Sequence, residues 1–143
     1  MKPILLLSVI CLTFMSCSAQ SSSDLKVLDI VYREDARGNN LYCKVTPSKL
    51  EMNRMGLTEE NRNLELSPSQ WDVFVKALQQ IDLPNLADLE PPSEGRATDR
   101  AATAQLIVKT TTGEYSSSLF DAGTPPEPLE EVIDLIFKIL DEE

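Results

Sequence analysis

Arg96, Asp99, Arg100 and Asp121 form the densest set of side chains in this sequence that could do polar chemistry. Paired aspartates divide the work of acid and base when burial splits their pKa values, and arginines grip carboxylates and phosphates through two nitrogens at once. The 143 residues contain no histidine, which excludes Ser-His-Asp and Cys-His catalysis and any zinc site built on imidazole. A calcium ion between Asp99 and Asp121 would need about six to eight oxygens, and the spacing of an EF-hand loop is absent. No cofactor and no metal are therefore expected. Three readings of this polar edge compete. In the structural one, the aspartates bind turn amides and an arginine pairs with them. In the second, Arg96, Asp99, Arg100 and Asp121, with the rigid pair Pro125 and Pro126 beside them, present a contact surface to another protein. The third and least favoured is a histidine-independent hydrolase using the two aspartates. The expectation is a binding protein, not an enzyme.

Charge narrows the choice of partner. Thirteen basic side chains face 23 acidic ones, a formal charge of −10. Removing residues 1–16 takes away only Lys2, leaving 12 against 23, or −11. Such a body has no general attraction for nucleic acid or for an anionic bilayer. With 42% hydrophobic and 25% charged residues the chain is globular rather than disordered.

The cysteines point to export. Lys2 precedes an apolar run from Ile4 to Met15, 12 residues broken only by Ser8 and Thr13. As a helix it would rise about 18 Å, too short for a bilayer core of ~30 Å. It reads as the h-region of a signal peptide and leads into Phe14-Met15-Ser16-Cys17. This end resembles the bacterial lipoprotein signal, in which the peptidase cuts before a cysteine that has received a diacylglycerol. Ser16 and Cys17 fit that pattern; Phe14 and Met15 depart from its leucine and small residue. The other reading is ordinary secretory cleavage after Ala19. The resemblance implies a signal peptide over 1–16, a lipidated Cys17, and a Ser-rich tether over 17–25. Ser18 after the anchor resembles the outer-membrane sorting preference of enteric lipoproteins. The expected location is the bacterial cell envelope at the outer membrane, with the bilayer and another envelope protein as partners and no nucleic acid. Cys43 is left alone, on one strand face with Leu41 and Val45, as a small core residue.

The elements that must position these residues lie within a single domain over 26–143. Lys26 to Arg33 alternates as a strand with Leu28, Ile30 and Tyr32 on one side. Leu41–Thr46, the run through Leu50 and Met52, and Arg62–Leu66 continue an antiparallel meander, with Gly38 and Asn39 suited to a positive-φ turn. Ser67, Pro68 and Gln70 spell a capping box for a helix whose apolar stripe is Trp71, Phe74, Val75, Leu78 and Ile81. Thr103–Thr111 and Glu114–Phe120 form a hairpin about Thr112-Gly113 that places Asp121 across from Ala104. Thr124 and Glu127 have capping-box spacing ahead of a last helix with the stripe Leu129, Val132, Ile133, Ile136, Phe137 and Leu140. The expected fold is α+β: an antiparallel sheet of five to six strands, in the order β-β-β(-β)-α-β-β-α, with two helices on one face.

The order of a capped helix ending in "QQIDLP", an alternating hairpin, and then "FDAGTPPEPLEEVIDLI" resembles the layout of emfourin, a small bacterial inhibitor of thermolysin-type metalloproteases, and of related small exported proteins. No inhibitor contact residue carries over, because no position here matches a distinctive motif. The resemblance implies a protein-binding module, with protease inhibition as its specific form; a structural or assembly lipoprotein is the alternative.

Overall fold

The computed structural model describes residues 26–98 and 100–142. Seven strands and two helices follow in sequence: β1 (Val27–Ala36), β2 (Asn39–Thr46), β3 (Lys49–Gly56), β4 (Glu60–Glu65), α1 (Pro68–Leu78), β5 (Thr103–Thr110), β6 (Glu114–Ser116), β7 (Phe120–Asp121) and α2 (Glu127–Asp141). The sheet order is β4-β3-β2-β1-β5-β6, with β7 also paired to β5, and every pairing is antiparallel. The α+β class and its two helices on one face stand as expected, on a sheet slightly wider than the sequence suggested. Gly38 makes the β1–β2 turn at φ 75°.

Alternation along the strands explains the single core. Ile30 and Tyr32 pair with Val45 and Cys43 on one side and with Val108 and Leu106 on the other. All six are buried, and they pack in one cluster with Phe74 and Leu78 of α1 and Leu129, Val132 and Ile136 of α2. The Tyr32 and Phe137 rings meet edge to face at 5.5 Å, so α2 lies directly over β1. Arg62 of β4 donates from Nη1 to the Leu140 carbonyl at 2.6 Å, tying the edge strand to the end of α2.

The α1 N-terminus follows its sequence closely. The Ser67 side chain accepts from the Gln70 amide, the Gln70 side chain accepts from the Ser67 amide, and Pro68 opens the helix. Two orphan donors are thereby satisfied. The last regular residue is Leu78, before the expected Ile81, and a 3-10 segment over Leu83–Asp88 buries Leu83 and Leu86.

Four details differ from the sequence reading. A bulge between Val27 and Asp29 shifts the pleat, so Val27 joins the core while Leu28 is 43% exposed. The returning arm of the last hairpin is not one strand: β6 stops at Ser116 and β7 holds only Phe120 and Asp121. Ser117 causes the break, since its Oγ accepts the Leu106 amide that a ladder carbonyl would otherwise take. Consequently Asp121 pairs with Thr103, not Ala104, and Leu119 is exposed. Finally, α2 starts at Glu127 with Pro126 as its N-cap and no side-chain cap. Thr124 instead bridges back to Asp121. Proline disfavours helical backbone in the residue before it, so the Pro125-Pro126 pair holds Thr124 extended.

Cys43 is fully buried, and that burial, with the Glu34 carboxylate adding to it, pushes its thiol up to about 12. Thiolate is the reacting form, so Cys43 in the folded chain should alkylate with iodoacetamide at pH 8 at least about 100-fold more slowly than in urea. Peptide mass spectrometry checks this; comparable rates would show that the strand face is open.

Candidate functional site

The polar edge is built by β7 and by the segment that leads into β5. Asp121 is 3% exposed. One carboxylate oxygen accepts from the Ser93 hydroxyl at 2.6 Å and the Gly95 amide at 2.5 Å. The other accepts from the Arg96 amide at 2.8 Å and from Arg96 Nη1 at 3.3 Å. Arg96 Nη1 also donates to the Ser93 carbonyl at 2.7 Å. These partners, the Ser93 hydroxyl foremost, hold the Asp121 carboxyl down at about 2 against the opposing effect of burial. A Cβ on Gly95 would lie 3.0 Å from Asp121 Oδ2, so glycine there permits the approach.

This arrangement organises a loop. A carboxylate supplied by four donors and ionised down to about pH 2 is a poor proton carrier near neutrality. What it does is fix the 3-10 turn Gly95–Thr98 against β7. The turn is closed further by Arg100 N and Thr98 Oγ1, both donating to the Gly95 carbonyl. From Asp121 the chain turns through Gly123 at φ 82° into Pro125 and Pro126.

The expected site residues therefore divide. Arg96 and Asp121 are in contact, as the first reading of the sequence had it. Arg100 is exposed, Pro125 half-buried and Pro126 buried beneath the start of α2. Asp99 and Cys17 lie outside the described residues.

Beside the loop lies a cleft of about 400 Å³, lined by Arg37, Arg96, Arg100 and Asp35 among small residues such as Ala36 and Ala101. Sequence reasoning missed Arg37 and Asp35. They reach the cleft because β1 pairs with β5 and sets Asp35 opposite Thr103. Ser93 and Gly95 were missed as well, since nothing local marks them as partners of a residue 26 or more positions away.

The cleft has a defined place relative to the N-terminus. At the start of β1, the Lys26 carbonyl accepts from Thr111 N at 3.0 Å. The cleft is at the other end of β1, whose 10 residues span roughly 30 Å at ~3.3 Å per residue. The same far end carries the β3–β4 turn, with Met55 60% and Leu57 101% exposed. The two hairpin tips touch there: a Cβ on Gly56, which has φ 153°, would fall 2.5 Å from the Gly38 carbonyl oxygen.

In comparisons with known proteins, no family model and no curated protein matches this chain.

Proposed function

We infer that the chain is a bacterial envelope lipoprotein, acylated at Cys17, whose acidic α+β body binds another envelope protein through the end of the sheet farthest from the tether. The observation that carries this reading is polarity of placement. The N-terminal entry at Lys26 and the end bearing Arg100, Met55 and Leu57 sit at opposite ends of β1. A body anchored at Cys17 in the outer membrane would thus hold Met55, Leu57 and Arg100 away from the bilayer, where a partner can reach them. An exposed Leu and Met beside arginines have the chemistry of a contact surface. The saturated, strongly acidic carboxyl of Asp121 favours binding over a histidine-independent hydrolase. The emfourin-like layout favours a peptidase as the partner and inhibition as the consequence.

The test is recovery of partners by an affinity tag from membranes after cross-linking, with the full chain and with Leu57→Glu. Leu57 is fully exposed, so the variant should fold normally. A partner that co-purifies reproducibly with the parent chain and falls at least tenfold with Leu57→Glu supports the reading, as inhibition if it is a peptidase and as assembly if it is an outer-membrane complex. Equal recovery with both chains overturns the proposed surface.

A further inference from the structure

We propose that the cleft between the β1–β2 turn and the loop before β5 is a receptor for an oxyanion, a carboxylate or phosphate group on a small molecule or a chain end. Three of the six arginines in this sequence, Arg37, Arg96 and Arg100, line it. Among the described residues, Asp35 is the one acidic side chain in its lining. In a body that is otherwise strongly acidic, this is a local inversion of charge, and it is concave. The space exists because Ala36, Ala101 and Ala102 leave room between the guanidinium groups, about 400 Å³ in all.

Pre-organisation supports the assignment. Arg96 is held by Asp121 and by the Ser93 carbonyl, and both bonds use Nη1, so the remainder of its guanidinium is not spent on them. A fixed planar fork loses less entropy on binding a planar or tetrahedral oxyanion than a mobile one does. Arg100 is exposed at the mouth, where its side chain can close on a ligand. Asp121 engages Arg96 through Nη1 alone, its two oxygens being bound on the loop's inner side.

This inference is independent of the tether and of any protein partner. It is tested by amide chemical-shift titration of the full-length chain in detergent, with inorganic phosphate in one arm and succinate in the other. Chloride keeps the ionic strength constant, since screening alone moves exposed arginines. The expected result is a saturable shift confined to the amides of Ala36–Gly38 and Arg100–Thr103. The arm that saturates at the lower concentration identifies the head group. Arg100→Ala and, separately, Arg100→Gln should weaken binding at least tenfold, whereas Arg54→Ala, on β3, should leave it unchanged. Asp35→Asn removes an acidic side chain from the lining and should tighten binding about threefold. That gain cannot come from misfolding. Absence of a saturable shift in both arms overturns the proposal, as does a shift that Arg100→Ala leaves intact.

Discussion

Phe120→Ala is expected to destabilise the fold by about 3–5 kcal/mol. Phe120 is fully buried, yet its strand contains only itself and Asp121. Its ring therefore does two jobs. It fills the core beside Ala104, its ladder partner, and it anchors the backbone that presents Asp121 to the loop. Truncation leaves a cavity that the antiparallel pairing prevents from collapsing, and it releases the clamp at the same time. Urea unfolding should show a lower midpoint with an unchanged slope, and Phe120→Leu should recover most of the loss. Against a total stability of about 5–15 kcal/mol for such a domain, that loss is large. If Phe120→Ala melts like the parent chain, β7 does not hold the core as described.

Asp121→Asn should lower the melting temperature by about 5–10 °C, large for a domain of this size. The amide keeps the shape, but it replaces a doubly accepting carboxylate with one oxygen and one NH2 group. That NH2 must face donors, either the Ser93 hydroxyl and Gly95 amide or the two Arg96 donors. Leaving a buried donor unsatisfied costs more than the bond itself contributes. The pH dependence provides a second readout. The folded carboxyl sits at about 2, below the value near 4 of an unfolded aspartate. Its contribution is thus complete above pH ~4 and is lost as pH falls through about 2. The parent chain should lose more stability than Asp121→Asn between pH 4 and pH 2. Parallel acid profiles for the two chains would show that the loop does not depend on the charge.

How much of this was legible beforehand depends on the range of the interaction. The α1 cap is local, and Ser67, Pro68 and Gln70 act as their spacing suggests. The α2 stripe is local too, although Ile139 is buried where Phe137 is only partly covered. Alternation places Ile30, Tyr32, Cys43, Leu106 and Val108 in one core. Register is more fragile. A single bulge at Leu28 reverses which of two adjacent apolar residues is buried, and one serine hydroxyl at position 117 splits a strand. The same break moves Asp121 by one pairing position. The site suffered most, because its parts come from three distant stretches. That Arg96 or Arg100 would pair with an aspartate was visible once the hairpin was drawn; that it is Arg96 with Asp121 was not. The cleft was not, since it depends on β1 lying beside β5, and strand order leaves almost no trace in local composition.

The proposed activity also depends on a segment that precedes the described residues. The leader pattern, the Ser-rich stretch after it and the entry of the chain at the end of the sheet opposite the arginines all suit a body held at a surface by its N-terminus. If the chain instead diffuses freely, the distinction between near and far ends loses its meaning. The most direct check is the intact mass of the protein extracted from bacterial membranes. A chain beginning at Cys17 and carrying the mass of a diacylglycerol and an amide-linked fatty acid is the result this account requires. A water-soluble chain starting at Gln20 with no added mass would contradict it.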